Sequence, residues 1–369
     1  MSWRKRLILL CGPSILGGIT FGDWLTLLRE NGFAVDPAYW LRAGMITLGS
    51  LGNSLHRRRE EANYGPAIRE TRVEPPLFVL GIWRSGTTHL QNLLAVDDRF
   101  AFPNWYQASF PRTFLSTEAR SSRIGGFFVP RERAQDNMPF GFSLPAEDEF
   151  ALASATARSP LLSWVFPRRA EHYDRYLTFR GVPEAEVAEW KAALLDFVRK
   201  LALKHGKPIV LKSPPHTGRI RLLLDVFPEA RFVHIHRDPY AVFQSACHTT
   251  REVLRFCTLQ RPDLDVEGRT IRQYQEIYEA FFEEKGLIPE GRFHEIGFED
   301  LERDPIGQMR GVYASLRLPD FAVVEPPMRH YVESVSGYRK NAFPELPTGL
   351  KQRVSLAWRD YFDAWGYRT

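Results

Sequence analysis

Residues Gly81–Leu90 read GIWRSGTTHL and follow the apolar run PPLFVL. The spacing is that of a phosphate loop, G-x-x-x-x-G-K-[ST], except that Thr87 stands where the lysine belongs. Two glycines permit the tight wrap, and backbone N–H groups at a helix start form an anion site. A basic side chain is still present, earlier in the loop, as Arg84. In a nucleoside triphosphatase the lysine reaches the β- and γ-phosphates. A hydroxyl and an aspartate from another strand then hold Mg²⁺. Here PIVLK (208–212) ends in Lys212, and the aspartate of HIHRD, Asp238, sits between Arg237 and Pro239. A site for a smaller, less charged group without a metal fits these residues better. Arg237 closes one apolar run and Ser245 lies eight residues on, a pair able to grip a second phosphate. Two phosphate grips and no metal describe an adenosine with a 5′ diester-like group and a 3′-phosphate.

At this point the chain resembles the sulfotransferases that use 3′-phosphoadenosine 5′-phosphosulfate (PAPS). Their 5′ loop, [KR]-S-G-T-T, is Arg84-Ser85-Gly86-Thr87-Thr88 here, and their 3′-phosphate motif, R-[DN]-P-x5-S, is Arg237-Asp238-Pro239 through Ser245. LKSPPHTGRI resembles the segment in which cytosolic members carry K-T-H, and Gly337-Tyr-Arg339-Lys340-Asn resembles the R-K-G loop that closes over the cofactor. The resemblance implies PAPS as co-substrate, bound by Arg84, Ser85, Gly86, Thr87, Thr88 and His89 at the 5′ side and by Arg237, Ser245, Arg339 and Lys340 elsewhere. There are departures. His89 replaces the tryptophan that cytosolic members place near adenine, and Pro214 occupies the position of the K-T-H histidine, with His216 two residues later. The arginine form of the loop is closer to the bacterial and tyrosylprotein branches, where a glutamate is the base. Glu147, Asp148 and Glu149 in SLPAEDEFAL then become candidates.

Sulfuryl transfer sets three tasks. Donors already in place must stabilise charge on the leaving phosphate and the moving sulfonate, by analogy with phosphoryl transfer; Arg84, Lys212 and the amides of residues 86–88 suit this. A base must take the proton of the acceptor, and His216 or Glu147 is expected to do so. Water must be kept from the activated sulfate, a task for the Pro- and Phe-rich residues 101–145. Plainer readings exist for each candidate. A histidine after Pro-Pro is often an ordinary loop residue, and an acidic run at a helix start is favoured by the helix dipole alone. His234 and His236 alternate with Val233 and Ile235 and read as structural. The competing functions are a P-loop kinase or nucleotidase, and an inactive PAPS-binding scaffold.

These residues need a frame. LFVLG, PIVLK, RFVHIHRDP and RFHEIGFEDL read as buried strands separated by helical periodicity, notably over 184–205. The alternation predicts an α/β fold: a P-loop-like three-layer sandwich with a central parallel sheet. An N-terminal helical extension (1–60) is expected ahead of a sulfotransferase domain (61–369), joined through a polar connector at 61–76. With 369 residues, 44% hydrophobic and 25% charged, the chain is neither disordered nor fibrous. Its three cysteines, without paired spacing, point to a reducing compartment and a cytoplasmic protein. The start, MSWRKRLILL, has the look of a leader, but Pro13 and later glycines interrupt it. Residues 38–55 are apolar on most sides and end at His56-Arg57-Arg58-Arg59. With Trp3, Trp24, Tyr39 and Trp40, and with Arg4, Lys5 and Arg6, this segment is either core cover or a helix lying on a membrane face. Nothing suggests nucleic acid. The acceptor stays open among lipid, sterol, glycan and peptide.

Overall fold

The structure, a computed structural model, describes residues 15–125, 141–337, 341 and 343–369. Arg339 and Lys340, Cys11, and the tryptophan and basic residues of the first ten positions lie outside them, as does part of the expected cover at 101–145.

In chain order, helices α1 (Phe21–Glu30) and α2 (Trp40–Glu70) precede β1 (Leu77–Leu80) and α3 (Thr87–Leu94). Then come α4 (Glu149–Thr156), α5 (Glu184–His205), β2 (Val210–Lys212), β3 (Arg231–His236), α6 (Pro239–Cys257) and α7 (Val266–Glu284). β4 (Phe293–Gly297), α8 (Phe298–Arg303) and, near the C-terminus, α9 (Arg359–Trp365) follow. The four strands form one parallel sheet in the order β2-β1-β3-β4, with helices on both sides. This is the expected α/β frame, and each strand falls inside a run read as apolar in the sequence. Every residue of β1 and β2 is buried, as a strand covered on both faces requires.

The chain divides into two compact units. One comprises described residues of Met1–Val73, Pro103–Gly206 and Thr250–Leu264; the other comprises Glu74–Phe102, Lys207–Thr249 and Asp265–Thr369 and holds the whole sheet. The connector expected at 61–76 is mostly helix: α2 continues to Glu70 with Pro66 inside it. The reason lies in packing beyond residue 60. Glu60 is buried against Lys200 of α5 at 3.0 Å, and Ile68 is buried two turns later. These contacts carry the helix through a residue that normally breaks one. The boundary expected at residue 60 therefore falls within a continuous element.

α2 is unusual in its polarity. Its inward residues include Arg42, Ser50, Asn53 and Glu60, all buried. Asn53 donates to the Gly17 and Ile19 carbonyls at 2.8 and 3.0 Å, and Glu60 also accepts the Ser116 backbone N–H at 2.9 Å. Its outward residues are Trp40, Leu41, Met45, Leu48, Leu51 and Leu55, between 45% and 67% exposed. At about 100° per residue these six share one face about 140° wide.

Candidate active site

The geometry of the sheet explains why motifs far apart in sequence converge. The strands are parallel, and β1 lies between β2 and β3, so the C-terminal ends of all three stand side by side. Lys212 ends β2, the 81–86 loop follows β1, and Arg237 follows β3. The strand order reverses direction at β1, the kind of switch point where open α/β sheets bind ligands.

The loop is shaped by its glycines. Gly81 (φ +141°) and Gly86 (φ +105°) occupy backbone space that favours glycine, and a Cβ on Gly86 would lie 2.3 Å from the Phe298 ring. Arg84 is also left-handed, at φ +75°. An arginine there is strained by about 1–3 kcal/mol, a cost concentrated at functional sites. Ser85 does not face outward. It is fully buried, and its hydroxyl donates to the Ile82 carbonyl at 2.8 Å, closing the turn. Thr217 Oγ1 accepts the Gly81 backbone N–H at 2.7 Å and ties the loop to the 214–218 turn. Gly86 caps α3, so Thr87, Thr88 and His89 form its first turn. Backbone N–H groups there have no intrahelical partner and favour an anion.

The lysine absent at position 87 is replaced in space. Val79 of β1 pairs with Lys212 of β2, and Lys212 Nζ lies 3.5 Å from Thr88 Oγ1. Lys212 is only 1% exposed. A buried ammonium at a strand end, beside a helix N-terminus, adds positive charge where the loop's own lysine would have supplied it.

The second motif folds as its residue types dictate. Asp238 accepts the Ala241 backbone N–H at 2.7 Å, capping α6, and Pro239 is the first residue of that helix. Ser245, two turns in, is nearly buried and accepts a hydrogen bond from Arg84 Nε at 2.9 Å. Arg237 donates to the Arg84 carbonyl at 3.2 Å and lies over the Phe298 ring at 4.3 Å. Burial pushes its guanidinium pKa down, and Glu299 opposes that shift. Arg84, Arg237 and Ser245 thus form one connected group, although Arg84 and Ser245 are 161 positions apart. Phe298 is a part of this group that the sequence reading missed. Its only signal there was an aromatic residue just past the last strand.

The base candidates fall in different compact units. His216 lies in the 214–218 turn, 0% exposed, its ring edge-on to Phe78 of β1 at 5.5 Å. Glu147, Asp148 and Glu149 belong to the other unit. Asp148 and Glu149 are buried, and Glu149 accepts from the Ser159 hydroxyl at 2.7 Å. Glu147 is the partly exposed member of the three.

A parallel α/β sheet whose adjacent strand ends carry a buried lysine, a glycine-bounded loop and an arginine has the form of an α/β protein with its site at the strand C-termini. The chain belongs to the Sulfotransferase family, whose model matches residues 75–322. It is 36% identical over 352 residues, 95% of this chain and 90% of the relative, to the omega-hydroxy-beta-dihydromenaquinone-9 sulfotransferase Stf3 of Mycobacterium bovis and of Mycobacterium tuberculosis. Human carbohydrate sulfotransferase 6 is 28% identical over 320 residues, 80% of this chain and 76% of that protein. Among solved structures, sulfotransferase STF9 from Mycobacterium avium shares the fold with a TM-score of 0.64, at 21% identity and covering 95% of this chain and 97% of that one. The protein is therefore a sulfotransferase, and its family implies PAPS as the sulfuryl donor.

Proposed function

We propose that the chain transfers the sulfuryl group of PAPS, without a metal, to the hydroxyl of a lipid acceptor. The observation that carries the donor half is the linked group of Arg84, Ser245 and Arg237 at adjacent strand ends. In this reading the 5′-phosphosulfate lies against the first turn of α3, with Arg84 and Lys212 beside it. The 3′-phosphate meets Arg237 and Ser245. As the S–O bond to the leaving phosphate breaks, charge grows on that phosphate's oxygen. Lys212, Arg84 and the amides of residues 86–88 are donors already oriented to receive it. The Ser85 hydroxyl is engaged within the turn, so its part is to shape the loop. His89, Arg339 and Lys340 complete the proposed nucleotide contacts.

For the base we favour Glu147 over His216. A general base must come within hydrogen-bond reach of the acceptor hydroxyl. Glu147 is accessible, whereas the His216 ring is enclosed against Phe78.

Two observations support a lipid acceptor. The Stf3 relatives are named for a menaquinone derivative, and the outward face of α2 is a continuous apolar stripe. The stripe runs into Arg57, Arg58 and Arg59, all exposed. Exposed apolar surface with basic residues at its end suits the interface of an anionic bilayer. No described helix is long and apolar enough to cross a membrane, so the stripe is proposed to lie on the bilayer, at its cytoplasmic face. The test is transfer from labelled PAPS to a polyprenyl alcohol in vesicles against a soluble glycan. Transfer to the lipid is expected, and preference for the glycan would overturn the acceptor assignment.

A further inference from the structure

The last residues of the chain fold back onto the turn that carries Arg237. α9 ends at Gly366 (φ +69°), where the Gly366 N–H reaches the Asp363 carbonyl and the Tyr367 N–H reaches the Phe362 carbonyl at 2.9 Å. This glycine-terminated stop reverses the chain and sends the Tyr367 side chain back toward β3. The Tyr367 hydroxyl donates to Glu299 Oε2 at 2.8 Å and lies 3.0 Å from His236 Nδ1. A phenol has one proton, so the imidazole N–H on Nδ1 must donate to the Tyr367 oxygen. Burial holds the His236 pKa near 4, consistent with a neutral ring in that tautomer. Trp365 lies flat on the other side of His236, ring centroids 4.9 Å apart and nearly parallel at 6°.

The same contacts continue on to Arg237. The other oxygen of Glu299 accepts the Asp238 backbone N–H at 3.2 Å. Phe298, the neighbour of Glu299, supports the Arg237 guanidinium. The residues on both sides of Arg237 are therefore held, His236 by Trp365 and Tyr367 and Asp238 by Glu299. Arg237 itself donates to the Arg84 carbonyl at 3.2 Å.

We propose that Tyr367, backed by Trp365, is a positioning residue for the 3′-phosphate. It locks the His236–Asp238 turn so that Arg237 is oriented before the nucleotide arrives. This rests on the reading of Arg237 as the 3′-phosphate ligand. Its consequence is specific: losing the lock weakens the grip on a 3′-phosphate and leaves the 5′ site alone.

The test compares two nucleotides by calorimetry, 3′-phosphoadenosine 5′-phosphate (PAP) and adenosine 5′-phosphate, on the full chain. Tyr367→Phe keeps the ring and removes the hydroxyl that links His236 to Glu299. It is expected to weaken PAP binding about two- to tenfold, the range of a lost hydrogen bond, with adenosine 5′-phosphate unchanged. Deletion of Tyr367–Thr369 should do the same or more. Equal weakening of both nucleotides marks a general structural role and overturns the proposal, as does no change in either. Arg237→Ala separates the two layers of the argument. If it leaves the preference for PAP intact, the donor-site assignment itself fails. If it abolishes the preference and Tyr367→Phe does not reduce it, only the positioning role fails.

Discussion

The strand-end site and helix α2 treat polar residues in opposite ways, each against the usual rule. At the strand ends a lysine is buried and a non-glycine residue takes a left-handed backbone, so cations and amides are held ready at some cost in stability. In α2 Arg42, Ser50, Asn53 and Glu60 are turned inward, and the leucines are turned outward. Departures of both kinds are where the proposed ligand and the proposed membrane contact are placed. At the strand ends the proposed ligand is an anion, and its chemistry is inferred from the donors. On α2 the proposed partner is a bilayer surface, inferred from the exposed apolar face.

Removing the proposed general base should give the largest change. Glu147→Gln is expected to lower the transfer rate about 10²–10⁴-fold, the usual contribution of a general base, with PAP affinity within a few-fold. His216→Ala should act differently. It removes a buried ring beside Phe78 and should lower the thermal midpoint more than the rate measured below that midpoint. If Glu147→Gln turns over normally and His216→Ala folds but does not, the two assignments must be exchanged.

Next in size is the nucleotide grip. Arg84→Ala and Arg237→Ala each remove charge-assisted hydrogen bonds that contribute about 1.5–3 kcal/mol. PAP affinity should fall roughly ten- to hundredfold for each. Because the two arginines are hydrogen-bonded through the Arg84 carbonyl, their effects should not add in the double variant. Strict additivity, measured by titration, would mean that the two phosphate grips act independently.

On the α2 side the effect is smaller and appears only with lipid present. Leu48→Asp with Leu51→Asp introduces charge into the stripe at residues already 67% and 49% exposed. The fold should be little affected, and flotation with anionic vesicles should drop. The parent chain should float and be partly released by salt, at about 1 kcal/mol per basic residue near the surface. Unchanged flotation in the variant would show that this face is not what meets the membrane.

The contrast also explains which parts were legible in the sequence. The strands and the two phosphate motifs were readable because backbone geometry dictates them. Gly81 and Gly86 are needed for the turn, Asp238-Pro239 caps and opens a helix, and runs such as LFVL have no other stable place than a two-sided sheet. Lys212 could be singled out because a buried strand otherwise avoids a lysine, yet its partner Thr88 depends on the β1–β2 register. The continuation of α2 past residue 60 was not legible. Gly65-Pro66 is a local stop signal, and it was overridden by the buried Glu60–Lys200 pair, whose partners lie 140 positions apart. Phe298, Trp365 and Tyr367 were missed for a related reason. Phe298 stacks on Arg237, and Trp365 and Tyr367 contact its neighbour His236, and no spacing rule encodes such contacts.

The loop with threonine in place of lysine, together with Arg237 and Ser245, is proposed to grip two separate phosphates rather than a metal-bound triphosphate. Calorimetry on the full chain with PAP and with ATP, each with and without Mg²⁺, tests it most directly. PAP should bind more tightly than ATP, unaffected by Mg²⁺ and weakened by Arg237→Ala. Tighter binding of ATP, dependent on Mg²⁺ and indifferent to Arg237→Ala, would contradict it.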